Sequence, residues 1–387
     1  MATRGRAGRG FTGGGRGRVK DLGGRKAFAV VTPGLESVLV EELQELGVSA
    51  TETEGGATFQ ASWDALDRVC RGSAIAQGLR LRLARVKAGS LEELAHGVRS
   101  VPWASFVSPR QPLKVSVSSF QSRLKRASMV SRKVERAVAD ALRGPRLPGR
   151  TPRNLPVAGI HVRIIDDRAE LSVTCDGDPL HQHGWRQATA KAPIRENLAA
   201  AILRGSGWKP GSVLVDPMCG SGTFGLLAAR RSRGLPPRLN RAYAYESFPT
   251  CPQRRAAPTL LPAVASEIYV SDRDQGAIRA TQSNARRAEV DRYVTMRCAT
   301  LDALPPPGRP GWVISNLPYG QRVGRDADIE RFYAQIGHIL RDRWVGWRVA
   351  FVATATTDPA LIHRGLRKSM KFKNGGIPVA VWTGKIG

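Results

Sequence analysis

Two short stretches, Asp216–Thr223 (DPMCGSGT) and Asn316-Leu317-Pro318-Tyr319-Gly320, have the residue types and spacing to do chemistry together. The first follows an apolar, strand-like run, and the helix after it is expected to begin near Thr223. Gly220 and Gly222 let the backbone turn sharply and approach a ligand that any side chain would block. Asp216, Pro217, Cys219, Gly220, Gly222 and Thr223 are therefore the candidate cofactor-binding residues. On its own the loop reads equally as a helix-start turn, because a GxGxxG fingerprint is absent. Cys219 within it reads as a small residue that fits a tight turn.

The second stretch suits a planar base bearing an exocyclic amine. Such an amine is a poor nucleophile, because its lone pair is delocalised into the ring. Two acceptors holding its N–H groups would aim the lone pair at an electrophilic methyl, an effect of position and electrostatics rather than of a strong base. The Asn316 side-chain oxygen and the Leu317 carbonyl are the candidate acceptors. Pro318 fixes the turn and forces Leu317 into an extended conformation. Tyr319 offers a face on which an unstacked base can lie, and Gly320 leaves room beside it. Asn316, Leu317, Pro318 and Tyr319 are the candidate catalytic residues. The two stretches together imply methyl transfer from S-adenosyl-L-methionine (SAM) to an amino group.

Other candidates lie at neighbouring strand ends. Asp272, in Ser271-Asp272-Arg273-Asp274, is placed to accept both hydroxyls of a ribose. Its distance from Asp216 exceeds the usual spacing of about 20 residues, and a Pro-rich insertion at 234–266 accounts for the excess. Asp274 is expected to cap the helix that starts at Gln275. Asp302 either meets the adenine amine or serves as a turn residue before the prolines at 305–307. No Ser-His-Asp or paired-carboxylate arrangement competes. His181 and His183 have no further ligands nearby, and the five cysteines are scattered without a CxxC pair, so no metal site is expected. An odd cysteine count without a signal peptide points to reduced thiols in a cytoplasmic protein.

The elements that position these residues follow from periodicity. Ala27–Thr32 reads as a strand, Leu35–Leu46 as an amphipathic helix ended by Gly47, and two short strands flank Gly55-Gly56. A helix near Trp63–Arg71, a strand at Leu79–Val86, a helix at Leu91–Arg99 and a strand at Leu113–Ser118 follow. Ser128–Leu142 is strongly helical, and His161–Ile165 with Glu170–Thr174 reads as a hairpin around Asp166-Asp167. This is an α+β pattern over 27–178. From 179 the style changes. After a helix at Ala192–Leu203, apolar strands at Val213–Val215, Glu267–Val270, Val294–Met296, Trp312–Ser315, Val349–Ala353 and Val379–Trp382 alternate with helices. That alternation predicts a doubly wound, Rossmann-like α/β domain over 179–387 with the 234–266 insertion outside its core.

Charge points to the partner. The 387 residues carry 60 Lys and Arg against 32 Asp and Glu, a formal +28. A polyanion gains from counterion release when it docks on such a surface. Residues 1–26 are Gly and Arg with little else and read as a disordered basic arm, either tracking phosphates or a bystander. Arg123, Lys125 and Arg126, with Arg132, Lys133 and Arg136 on the following helix, are either a solvated face or RNA-binding residues. The arm and the net charge favour RNA. No run of about 18 apolar residues is present, so a membrane partner is not expected.

Several stretches carry a resemblance: Ala192–Ala201 (APIRENLAAA), DPMCGSGT, GLPPRLNRAYAYESFP at 234–249, SDRD, NLPYG and KFKNGG at 371–376. They resemble the THUMP-containing RNA guanine-N2 methyltransferases, most nearly the branch acting on bacterial large-subunit (23S) ribosomal RNA. The likeness is specific over 180–387. It is looser over 27–178, where PGLE at 33–36 matches a ferredoxin-like segment leading into a THUMP domain. The resemblance implies a class I SAM methyltransferase domain behind a ferredoxin-like/THUMP RNA-binding module. It also implies SAM at the glycine loop and Asp272, its adenine at Asp302, and the guanine amine at Asn316–Tyr319. The family more often shows NPPY, and Leu317 departs from it while still supplying a carbonyl. A second methyltransferase domain, which some members carry, is not expected. The same chemistry on tRNA and a non-catalytic RNA-binding or assembly factor are the alternative readings. A DNA adenine or protein glutamine methyltransferase fits the basic N-terminal module less well.

Overall fold

Alternating burial along the strands and three-to-four spacing in the helices build two layered sheets, one in each half of the chain. The computed structural model describes residues 22–109, 111–143, 156–188, 194–239, 241–252, 262–319 and 326–387, so most of the basic arm lies outside the described residues. The first half runs β1 (Lys26–Val30), α1 (Glu36–Glu45), β2 (Ala50–Thr53), β3 (Gly56–Gln60), α2 (Trp63–Gly72), β4 (Gly78–Lys87), α3 (Leu91–Arg99), β5 (Leu113–Phe120), α4 (Ala127–Leu142), β6 (Ala158–Ile165) and β7 (Arg168–Thr174). Local signals place the boundaries. Ser62 and Ser90 cap α2 and α3 by accepting the Ala65 and Glu93 amides at 3.1 and 3.2 Å. Gly47 leaves α1 at φ +72°, and Asp166 and Asp167 turn the β6–β7 hairpin at φ +48° and +56°.

These strands form one seven-stranded sheet in the order β2-β3-β1-β4-β7-β6-β5. One face is apolar: Leu79, Leu81, Ile160, Val162, Leu171 and Val173 are buried in it. α3 and α4 cover that face through Leu94, Val98, Val130, Val134 and Val138. β5 is an edge strand and pairs parallel with β6.

The second half runs α5 (Glu196–Gly205), β8 (Leu214–Asp216), α6 (Thr223–Ser232), β9 (Ile268–Asp272), α7 (Gln275–Arg287), β10 (Thr295–Cys298), β11 (Trp312–Asn316), α8 (Asp326–Arg343), β12 (Arg348–Thr354), β13 (Arg367–Asn374) and β14 (Ile377–Lys385). Its sheet order is β10-β9-β8-β11-β12-β14-β13, parallel from β10 to β12, with β14 antiparallel to β12 and β13 antiparallel to β14. The expected doubly wound α/β class is what the chain adopts. Two details differ. α5 begins at Glu196 rather than Ala192, with Arg195 extended, and Ala192 itself lies outside the described residues. β13 was not expected as a strand. It is an edge strand in which only Met370 and Phe372 are buried, too few apolar positions to mark a period of two.

The 234–266 insertion corrects a larger expectation. It is not peripheral to the core: Tyr243, Tyr245 and Phe248 are buried, and Phe248 packs edge-on against Trp63 and Phe106 of the first half at 6.4 and 5.8 Å. Buried Arg238 donates to the Cys70 and Leu180 carbonyls at 2.5 and 2.9 Å. Glu246 pairs with Arg71 at 2.5 Å, and the Tyr245 hydroxyl bonds Asp67. The segment's described residues form only a short turn at Ala244–Ser247, which carries no periodicity. It works as a clasp between the halves through isolated aromatic and arginine anchors. A cavity of about 220 Å³ opens along the same seam, lined by Glu42, Arg68, Arg204, Leu227, Arg231 and Leu235, remote from the strand ends that carry the motifs.

Candidate active site

β8 lies between β9 and β11, so the carboxyl ends of these parallel strands meet where the strand order reverses. Asp216, Asp272 and Asn316 close those three strands. The switch point therefore gathers the glycine loop, the candidate ribose acid and the NLPY turn at one edge.

The loop is fixed from beneath and from the side. Asp216 is 1% exposed, and its Oδ1 accepts from the Ser315 hydroxyl at 2.7 Å and the Met218 amide at 3.3 Å. Gly220 and Gly222 sit at φ +55° and +83°. A Cβ at position 222 would lie 2.6 Å from Thr281 Cγ2, so glycine is needed there for both conformation and space. The Gly220 amide donates to Asp272 Oδ2 at 2.9 Å, and its carbonyl accepts from the Thr281 hydroxyl at 3.0 Å. Asn284 on α7 donates to the Ser221 carbonyl at 3.0 Å. Asp216, Pro217, Cys219, Gly222 and Thr223 are buried, and Gly220 is half-buried. Burial pushes the Cys219 thiol well up, which keeps it protonated.

Burial also pushes the Asp216 carboxyl up to about 7, with the neighbouring Asp272 adding to the shift and the Ser315 and Met218 hydrogen bonds opposing it. The folded state therefore holds a proton that the unfolded chain releases near its ordinary value of 3.8. Stability from this group falls as pH rises through that window and levels off above about 7. Asp216→Asn removes the effect, so its stability relative to the parent is expected to be higher at pH 8 than at pH 4.5. Urea titrations at both pH values measure the difference. Asp176, also raised to about 7 by burial, is common to both proteins and cancels. A difference that does not change with pH would contradict the assignment.

Asn316 is half-buried, and its Oδ1 is a buried acceptor with no hydrogen-bond partner among the described residues. A native structure rarely leaves such an atom unpaired, and an orphan at a strand end marks a place for a donor from outside. The Leu317 amide donates to the Val352 carbonyl at 3.0 Å, while its side chain is fully buried. The Pro318 carbonyl accepts from the Tyr333 hydroxyl at 2.9 Å, which anchors the turn to α8. Burial pushes Tyr333 up to about 12, so it remains a donor.

Tyr319 departs from expectation. Its ring is 3% exposed rather than open, and its hydroxyl accepts from Asn374 of the β13–β14 hairpin at 3.0 Å. Asn374 belongs to the KFKNGG stretch, remote in sequence, so the bond ties that hairpin to the turn. Gly320 lies outside the described residues.

Asp272 is half-buried at the opening, with Oδ1 accepting the Asp274 amide at 3.0 Å, and Asp274 caps α7 as its spacing implied. Asp302 stands exposed after β10, the strand beside β9, its carboxyl lowered by the Thr300 hydrogen bond, while its carbonyl is bonded by Arg343. The six basic candidates lie in the other half, on α4 and the segment leading into it. Arg123 pairs with Asp167 at 2.7 Å and Lys133 with Glu92 at 2.5 Å, so these two are locally neutralised. Lys125, Arg126, Arg132 and Arg136 are exposed.

The positions missed in the sequence are Thr281, Asn284, Ser315, Tyr333 and Asn374. Asn374 lies in the KFKNGG stretch that carries the resemblance, and Ser315 adjoins NLPY. The helix residues carried no local signal. Among the described residues, no group of three His, Cys, Asp or Glu could hold a metal ion, and no helix is long and apolar enough to cross a membrane.

Comparison with known proteins identifies the domains. The family model for an RlmL ferredoxin-like domain matches residues 26–77, that for a THUMP domain 88–174, and that for an RMKL-like methyltransferase domain 183–380. A Synechocystis sp. protein provisionally named an RNA methyltransferase is 32% identical over 368 residues, 92% of this chain and 95% of that one. Proteins of Syntrophotalea carbinolica and Cellvibrio japonicus named ribosomal RNA large subunit methyltransferase K/L are 34% and 33% identical over 91% and 90% of this chain. The chain spans about half the length of those two, 52% and 50%. A provisionally named methyltransferase solved with SAH superposes with a TM-score of 0.84 at 24% identity, covering 94% of this chain and 98% of that one. TrmN of Thermus thermophilus superposes at 0.67 and 22%, covering 94% and 100%. Both share the fold. SAM fits the residues present: two positive-φ glycines leave a bare backbone, an aspartate stands half-open beside them, and an unpaired acceptor faces the same edge. The chain belongs to the RMKL-like methyltransferase family, its methyltransferase domain following ferredoxin-like and THUMP domains.

Proposed function

We propose that this protein methylates the exocyclic N2 amine of a guanine in structured RNA of the large ribosomal subunit, in the cytoplasm. The observation that carries the reading is the orphaned Asn316 Oδ1 beside the glycine loop. Two relatives named for large-subunit ribosomal RNA support the substrate, and the THUMP match and the +28 charge support RNA in general.

Bound SAM supplies an electrophilic methyl group on a sulfonium. Asp272 accepts the ribose hydroxyls, Gly220 lets the backbone pass close to the nucleoside, and Asp302 meets the adenine amine. Asn316 Oδ1 and the Leu317 carbonyl accept the two N–H groups of the guanine amine, which turns its lone pair toward the methyl. Tyr333 holds the Pro318 carbonyl, so the turn that carries both acceptors is fixed before the base arrives. Tyr319 backs the turn from a buried position and meets a base only if the Asn374 contact opens. Residues 27–178 grip the RNA, and 179–387 carry out the transfer.

The test is incubation with labelled SAM and total RNA from a strain lacking the gene, followed by size fractionation. Label in large ribosomal RNA is the expected result. Label confined to the tRNA fraction would move the substrate, and no label in any RNA would contradict the proposal.

A further inference from the structure

The side of the first sheet that faces away from α3 and α4 carries a charge pattern concealed in the linear sequence. Its polar positions are interleaved with the apolar core positions of the same strands. On β4 they are Arg80, Arg82, Arg85 and Lys87, brought onto one side by a bulge between Arg82 and Ala84. Across the ladder, Arg85 stands opposite Glu170, Glu170 opposite Arg163, and Arg163 opposite Ser118. The last row is Lys87, Arg168, Ile165 and Phe120. Lys114 adds a further cation on β5, opposite Gly159. Directly paired residues share a face, so these side chains form one surface. Among these ladder positions Glu170 is the single carboxylate, shared by Arg82 at 3.0 Å and Arg85 at 3.4 Å. Lys87, Lys114, Arg163 and Arg168 are exposed and enter no ion pair among the described residues. At the rim, Phe120 is 65% exposed and Ile165 36%. A large aromatic left in water at the edge of a basic sheet is the arrangement in which a base stacks while its backbone lies on the cations.

The helical candidates lie elsewhere. α4 packs on the opposite, apolar face, and its outward cations point away from this surface.

We propose that RNA lies across this face, which no described helix covers, with phosphates on the cations of β4, β7, β6 and β5 and an unpaired base stacked on Phe120. The proposal rests on the reading that the substrate is RNA. It places the main contact on the open sheet rather than on α4, and it makes the preferred substrate an RNA with an unpaired nucleotide beside a helix.

Three full-length variants test it: Lys114→Gln/Arg163→Gln/Arg168→Gln on the open face, Arg132→Gln/Arg136→Gln on α4, and Phe120→Ala. Fluorescence anisotropy reads their affinity for a labelled RNA hairpin and for a fully paired duplex of the same stem, each over a range of salt concentrations. SAM affinity of each variant serves as the folding control. The open-face triple should flatten the dependence of log affinity on log salt by roughly two to three, since each phosphate contact contributes about 0.7–0.9. The α4 pair should leave the slope unchanged. Phe120→Ala should weaken hairpin binding by about tenfold and spare the duplex. A slope lost in the α4 pair and kept in the open-face triple overturns the placement. Equal losses for hairpin and duplex in Phe120→Ala overturn the stacking. A parent protein that binds neither RNA overturns the RNA reading itself, a failure distinct from that of the surface.

Discussion

Asn316→Ala is expected to lower kcat for methyl transfer by about 10²–10³-fold, the scale of removing one preorganised polar group from a reacting centre. SAM affinity and RNA affinity should remain nearly those of the parent. Stability supplies the second half of the prediction. Removing a paired buried group normally destabilises, because its partner is stranded. Asn316 Oδ1 has no partner among the described residues, so truncation strands nothing through it. Thermal stability is therefore expected to be unchanged or slightly higher, as befits a residue kept for function at some expense of stability. Single-turnover methylation, calorimetric SAM binding and a thermal melt measure the three quantities. A fall in SAM affinity matching the fall in rate would move Asn316 out of the reacting centre. An unchanged rate would remove its role altogether.

Asp272→Ala is expected to do the reverse. Its two oxygens accept the Gly220 and Asp274 amides, and the same carboxylate is half-buried at the strand end proposed to hold the ribose. Losing the two charge-assisted hydrogen bonds proposed to the ribose hydroxyls costs about 3 kcal/mol, on the order of a hundredfold in the Kd for SAM. The Gly220 amide also loses its anchor, so the loop becomes less ordered in the free protein. Turnover at saturating SAM should fall far less than affinity. Calorimetric titration with SAM, beside a melt that registers the loop's contribution to folding, separates the two effects. A Kd equal to the parent's would contradict the ribose assignment. The opposite signatures of Asn316→Ala and Asp272→Ala, rate without affinity and affinity without rate, discriminate a methyl-transfer centre from a generic ligand cleft.

Much of this arrangement was legible in the sequence because its signals are local. A strand ending in Asp216 before two glycines, an N-cap at Asp274 and a proline after Leu317 each act through the nearest few residues. The α/β class and the family resemblance are borne out. What escaped depends on contacts between distant segments. Tyr319 is buried and bonded by Asn374, which nothing in NLPYG announces. The clasp at 234–266 has no periodicity, and its role emerges only when Arg238, Tyr245 and Glu246 meet the first half. The basic sheet face is a third case. Its arginines alternate with core residues along β4, so in sequence they look like the solvated side of an ordinary strand. Only pairing across four strands, with a bulge that realigns Arg85 and Lys87, gathers them into one surface.

If the turn at Asn316 presents acceptors to a guanine amine, the chemical identity of the product shows it. RNA methylated by the purified protein would be digested to nucleosides and resolved by chromatography and mass spectrometry, with the Asn316→Ala protein run in parallel. The account predicts that the new methyl group appears as N2-methylguanosine and is all but absent from the variant's product. A methyl group on adenine, on a ring nitrogen of guanine or on a ribose hydroxyl would contradict it.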